Sequence, residues 1–228
     1  MRLESCDDVP VLNDPVAVRL WHAAIAVVLA GALIVQVLLT VDRGYSVVNL
    51  FSYFTIQSNI LVMISAALVA VDPLRDGAVF QAVRMGGLVG ITVTGVVYQV
   101  LLVGDIHVDG IDLVLDNVFH RFIPIAAVLG YLLLRPRSPL GPKSWWFLAW
   151  SFGWLAYTLI RAEVFDPTFK VTDTDTAPVP YGFLDVETEG VAMVIVTSAA
   201  ITAVAVMLAV FYRWVASRPR RSAMTSNT

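Results

Sequence analysis

His120 follows Asp116 by four residues, with Asn117 and Arg121 alongside. In a helix that spacing puts the carboxylate and the imidazole on one face. Asp116 can then hold one ring nitrogen while the other takes a proton from a hydroxyl, which is how a weak alcohol nucleophile is activated. Thr55 offers such a hydroxyl, and Ser58 and Asn59 follow along its face at i+3 and i+4. Two further polar pairs close apolar stretches elsewhere: Tyr98 with Gln99, and Tyr157 with Arg161. The chemistry such a set supports is acyl transfer. Thr55 would attack, His120 would act as base and then acid, and Asp116 or Asn117 would orient the ring. Arg161, or the free N–H groups at the start of the Thr55 helix, would stabilise an oxyanion. Each residue also has a plainer reading. A Thr in the first turn of a helix commonly serves as an N-cap, a lone His can bridge two helices, and Arg121 and Arg161 can snorkel toward outer phosphates.

The elements that must position these residues follow from hydropathy. Of 228 residues, 58% are hydrophobic and 14% charged, against roughly 25% charged in a soluble domain. The apolar residues gather in six blocks, 17–40, 51–71, 83–104, 113–134, 145–161 and 190–214, each near the roughly 20 residues that cross a bilayer core. Turn and charge signals separate them: Asp42-Arg43-Gly44, Asp72-Pro73, Gly104-Asp105, the cluster from Pro136 to Pro142, and the polar stretch 162–189. The sequence therefore predicts an all-α polytopic membrane protein, a bundle of six transmembrane helices over residues 17–214 between a tail, 1–16, and a basic tail, 215–228. The first block follows an acidic tail and lacks a small-residue cleavage signal, so it reads as a retained span.

Charge gives the bundle a direction. Of the 15 Lys and Arg residues, only Arg43, Arg161 and Lys170 fall on one side and Arg121 falls inside a block, leaving eleven on the other. The positive-inside rule then places both termini in the cytoplasm. The partner is a lipid bilayer, and a composition rich in Arg, Ala and Val points to a GC-rich bacterial source. At 1.5 Å of rise per residue, Thr55, His120 and Arg161 each lie about 21–24 Å from the cytoplasmic end of their blocks. In a core of about 30 Å this is one level, just below the outer surface. Polar groups in hydrocarbon are costly, so their meeting at one depth predicts an outward-facing pocket for a lipid or amphiphilic small molecule.

Other patterns carry less. Asp105, His107, Asp109, Gly110 and Asp116 fall at positions 1, 3, 5, 6 and 12 of a calcium-loop pattern. His replaces an oxygen ligand, Asp replaces the closing Glu, and membrane spans flank the loop, so chance accounts for it. No metal and no cofactor is expected. Cys6 is the one cysteine, which excludes an internal disulfide. A net charge of −3 without a basic patch excludes a nucleic-acid partner. Gly86 and Gly90, with Gly95 beyond, predict a close helix contact. Trp145, Trp146, Tyr212 and Trp214 read as an interfacial aromatic belt.

The string FSYFTIQSNILVM around Thr55 and the string DNVFHRFIPIAAVLGYLLL around His120 resemble the two signature regions of the androgen-induced, FAR-17a-like membrane proteins. Over residues 17–214 the chain is more similar to their bacterial relatives, the Pr6Pr family membrane proteins, in which YGFLDV at 181–186 also has a counterpart. The resemblance implies an intramembrane threonine hydrolase that cleaves fatty acid esters of hydroxy fatty acids, with Thr55 and His120 at the matching positions. Pro124 stands four residues after His120 rather than the five of the eukaryotic pattern, and the loop before the His differs. The resemblance therefore bears on the fold more than on the substrate. Together with the composition, it implies a bacterial plasma membrane.

Two non-catalytic readings stand beside hydrolysis: a carrier or receptor for a small amphiphile, and a structural protein whose polar residues join helices. They separate on one observation, whether the Thr55 hydroxyl lies within reach of a His120 ring nitrogen beside an open cavity. The sequence assigns no oligomeric state.

Overall fold

A computed structural model describes residues 12–104 and 106–217; Cys6, Asp105 and most of both tails lie outside the described residues. Asp14 starts the first helix, α1 (Pro15–Asp42), its Oδ1 accepting the Val16 N–H at 2.8 Å. Pro15 follows where a missing N–H costs nothing. Ser46 caps α2 (Val47–Ser52), a short piece that carries the chain across one end of the bundle. Tyr53 is extended (φ −67°, ψ 130°), and α3 (Phe54–Val71) begins after it. The α4 helix (Ala78–Val97) runs into a π-helical turn, Tyr98–Leu102. The α5 helix (Gly110–Asn117) runs through a second π-helical turn, Val118–Phe122, into α6 (Ile123–Leu133). Then come α7 (Phe147–Phe165), the four-residue α8 (Val186–Glu189) and α9 (Val191–Ser217). Two minimal strand pairs complete the chain, β1 (Leu12–Asn13) parallel to β2 (Leu134–Arg135) and β3 (Phe169–Lys170) antiparallel to β4 (Thr176–Ala177).

The fold is an all-α polytopic membrane bundle. Five helical stretches are long and apolar enough to cross a membrane: Pro15–Asp42, Phe54–Val71, Ala78–Leu102, Gly110–Leu133 and Val191–Ser217. They account for five of the six apolar blocks. The remaining block, 145–161, forms the 19-residue α7, whose Trp, Tyr, Ser, Arg161 and Glu163 leave it less apolar than the other five.

Inside the bundle α3 packs between α1 and α4, and α6 closes against α1 and α4. Ile25, Leu29, Ile56, Val62 and Phe119 make one core; Met85, Leu88, Tyr131, Phe147 and Tyr212 make another on the far side of α4. Burial of apolar surface does not drive helices together in lipid, so close backbone approach has to. At Gly87 an added Cβ would stand 3.1 Å from the Val62 nitrogen, and at Gly90 3.0 Å from the Ser58 Cβ. The close contact expected from Gly86 and Gly90 is present, and Gly87 adds the point where α4 meets the backbone of α3. Tyr212 is not part of an aromatic belt: it is buried, with its hydroxyl 2.7 Å from that of Thr92, whereas Trp146 and Trp214 are exposed.

At one end of the bundle Arg19 donates to the carbonyls of Ala70 and Val71, Ser138 to that of Pro73, and Arg137 to that of Val215. The opposite end carries residues 43–53, 106–109 and 166–190. There the polar stretch 162–189 is structured rather than open. Asp166 (φ 44°) ends α7, the β3–β4 pair folds back, and Ala177, Val179 and Leu184 are buried against Trp154 and Leu155. Alternating apolar residues in a polar segment thus build a cap, and the cap brings Tyr181 to the start of α3.

Candidate active site

The start of α3 decides what Thr55 can do. Tyr53 occupies the N-cap position, so Thr55 lies inside the first turn, where a backbone N–H has no partner within the helix. That N–H donates to the Tyr181 hydroxyl at 3.1 Å. The Thr55 side chain makes no cap bond, which sets the N-cap reading aside. Its Oγ1 lies 3.4 Å from His120 Nε2 and 3.2 Å from the Tyr181 hydroxyl. Ser58 and Asn59, expected in the pocket, are fully buried below it. Both donate to the Thr55 carbonyl, at 3.0 and 2.8 Å, and Ser58 also meets the Thr94 hydroxyl at 3.0 Å. They fix the first turn of α3 and do not face the cavity.

On the other side of the site the chain departs twice from α-helix. The Val103 N–H reaches the Tyr98 carbonyl at 2.8 Å, and the Ile123 N–H reaches Val118, both five residues back. Pro124 supplies a cause for the second: with no N–H, it leaves the His120 carbonyl without its i+4 donor. The two wide turns face each other, and the Tyr98 ring stacks on His120 with centroids 4.1 Å apart and planes at 12°. Such single π-turns recur at functional sites.

His120 Nδ1 lies 2.9 Å from Asp116 Oδ1. A carboxylate accepts only, so Nδ1 carries the proton and Nε2 presents its lone pair to Thr55. The other oxygen of Asp116 accepts from the Tyr98 hydroxyl at 2.7 Å and from Arg121 at 3.1 Å. Asn117 does not touch His120; its amide donates to the Leu113 carbonyl and accepts from Arg121. Of the two proposed orienters, Asp116 is the one in place. On the far side of Thr55, burial pushes the Tyr181 phenol above its ordinary range, with its bonds to Thr55 partly offsetting this. It therefore stays a neutral O–H. With its oxygen accepting the Thr55 N–H, its proton points to Thr55 Oγ1, and the donors line up as Tyr181 to Thr55 to His120 to Asp116.

Thr55, Tyr98, Asp116, His120 and Tyr181 line one cavity of about 480 Å³ that opens between α2, residues 106–108 and the cap. Arg43 and Lys170 stand at its rim, paired with Asp112 and Asp173 at 2.9 and 3.0 Å. Two expected members lie elsewhere. Gln99 is exposed and lines, with Arg121 and one side of His120, a second groove on the lipid-facing side that Thr55 does not reach. Arg161 donates to the Ser52 hydroxyl and to Asn49 Oδ1, and Tyr157 meets the same Ser52 hydroxyl at 3.1 Å. Held there, Arg161 braces α7 against α2 and does not aim at an oxyanion near Thr55. Tyr181 is the residue that sequence reasoning missed as a site member; only the YGFLDV resemblance touched it. Of the calcium-loop pattern, the His107 N–H bonds Asp173 and Asp116 is engaged with His120. No group of three His, Cys, Asp or Glu is placed to hold a metal ion among the described residues.

Comparison with protein-family models, curated proteins and solved structures finds no match for this chain.

Proposed function

We propose that this chain is an intramembrane hydrolase of lipid esters, with Thr55 as nucleophile, His120 as general base and acid, and Asp116 holding the imidazole. The observation that carries the reading is the relay itself, Thr55 Oγ1 at 3.4 Å from His120 Nε2 and His120 Nδ1 at 2.9 Å from Asp116, opening on a cavity. Nucleophile, base and orienter in sequence is the arrangement that activates an alcohol, and the first distance is within what a substrate-free site closes on binding. The Tyr181 hydroxyl, 3.2 Å from Thr55 Oγ1, can turn its proton from that oxygen to the carbonyl oxygen as negative charge develops there. The same residues are those through which the sequence resembles the Pr6Pr and FAR-17a-like proteins. The reading includes the topology drawn from charge: α7 as a sixth span, both termini cytoplasmic, and a bacterial plasma membrane around the bundle.

The test is ester hydrolysis by the purified protein in detergent. Wild type should turn over a lipid ester, and Thr55→Ala and His120→Ala should each reduce kcat by at least about 10²-fold. Equal rates in all three proteins overturn the reading. An apolar crevice beside the cavity also suits an amphiphile carrier, and fatty acid binding with no turnover in any protein would select that alternative.

A further inference from the structure

We propose that the site takes its substrate in one direction only, with the acyl group in an apolar crevice between α4, α7 and α9 and the alcohol in the wider, charge-rimmed outer cavity. Its substrates are then esters that join an apolar acyl chain to a polar alcohol. The inference rests on the hydrolase reading above. Its basis is that Thr55 and Tyr181 form a wall shared by two compartments, whereas His120 borders only the outer one of these two. The groove beside Gln99 also touches His120 but not Thr55, so nucleophile and base meet only in the outer cavity. The crevice, about 100 Å³, is bounded by Val93, Val97, Leu148, Phe152, Ile201 and Ala205. The outer cavity holds His120 together with Arg43, His107, Asp112 and Lys170.

Proton bookkeeping then assigns the two halves of an ester. Thr55 Oγ1 bonds to the carbonyl carbon, and its proton passes to His120 Nε2. When the tetrahedral adduct collapses, the bond to the alcohol oxygen breaks and that oxygen takes the proton from Nε2. The alcohol must therefore depart where Thr55 and His120 meet, into the outer cavity. The acyl group, now esterified to Thr55, keeps the remaining side, which is the crevice. A water from the outer cavity then bonds to the acyl carbon as His120 takes one of its protons. Thr55 Oγ1 leaves and recovers that proton. One ester and one water give one acid and one alcohol.

Polarity supports the assignment. Leu50, Ile56, Ile106 and Phe119 line the depth of the outer cavity, but Arg43, Asp112 and Lys170 ring its mouth, so a long apolar alcohol reaching out through it would displace water from these charged groups. An apolar acyl chain meets mostly apolar surface in the crevice, where Thr94, Ser151, Ser198 and Thr202 are the polar exceptions. A cavity of about 150 Å³ accommodates benzene, so the crevice has room for about four carbons. Phe152 is 51% exposed, so the crevice reaches the lipid-facing surface. A longer chain continues there, between α7 and α9, into the bilayer. Esters with two long apolar halves fit this site less well.

An isomeric pair tests the direction. The full-length protein in detergent is assayed with 1-octanoylglycerol and with the octyl ester of glyceric acid, which contain the same atoms with the ester reversed. The expected result is kcat/KM at least about tenfold higher for 1-octanoylglycerol. Along a series of acylglycerols, kcat/KM should rise about tenfold per methylene up to about butanoyl and then level off, and Thr202→Phe should move that plateau to shorter chains. Equal rates for the isomers, or a preference for the octyl ester, overturn the inference and leave the hydrolase reading standing. No turnover of either isomer, with wild type matching Thr55→Ala, overturns both. The isomer comparison uses wild type alone, so it decides the matter even if Thr202→Phe does not fold.

Discussion

At the scale of single residues, the site depends on which hydrogen each side chain presents. Asp116 fixes the proton on Nδ1 and leaves Nε2 free for Thr55. An amide in its place can offer its N–H to the ring, which turns the imidazole to the wrong tautomer. Asp116→Asn should therefore lower kcat by about 10²–10⁴-fold while the melting temperature changes little, measured by steady-state kinetics and thermal unfolding in detergent. A melting temperature that falls in parallel with activity would make Asp116 structural. Tyr181 is the other test. Its hydroxyl accepts the Thr55 N–H and points its own proton at Thr55 Oγ1. Tyr181→Phe keeps the ring packed against Tyr53 and Phe183 and removes only that hydroxyl. The loss expected for one oxyanion donor is about 10²-fold in kcat, with KM little changed. A change confined to KM would place Tyr181 in binding instead.

At the scale of elements, the two π-turns explain how His120 reaches Thr55. Pro124 cannot donate to the His120 carbonyl, so the helix widens there and turns the imidazole toward α3. Pro124→Ala restores a donor and allows an ordinary helix through this point. Stability should hold or rise, since Pro disfavours a helix interior by about 3 kcal/mol. Activity should fall by about 10²-fold, the effect of displacing a catalytic group by about 1 Å. The two readouts, thermal unfolding and kcat, are expected to move in opposite directions; a joint fall would mean that Pro124 serves packing alone. The sequence marked Pro124 as a break in spacing after His120. It held no sign that the break widens the helix, because hydropathy and periodicity are blind to a shift of one residue in hydrogen bonding.

At the scale of the whole molecule, one end of the bundle holds the site and the other a set of Arg residues that bind helix ends. Asp109 lies at the site end, at the start of α5. Asp109→Cys, in a protein whose Cys6 has been replaced by Ser, should react with an impermeant thiol reagent applied to intact cells. Labelling only after lysis would reverse the orientation drawn from the Lys and Arg distribution and put the site on the cytoplasmic face.

The bundle was legible in the sequence because the requirement for internal backbone hydrogen bonding and long apolar helices in a bilayer is local, and each block states it independently. The shared depth of Thr55 and His120 was legible too, since rise per residue is constant along a helix. Depth alone could not tell which polar residues turn inward. Rotation about each helix axis is set by neighbours, and it sent Gln99 to the lipid-facing side, Arg161 to Ser52 and Asn49, and Ser58 and Asn59 under the backbone of Thr55. The cap needed the tertiary fold as well. Only when Val179 and Leu184 bury against α7 does Tyr181, 126 residues along the chain from Thr55, arrive beside the hydroxyl that the sequence had singled out.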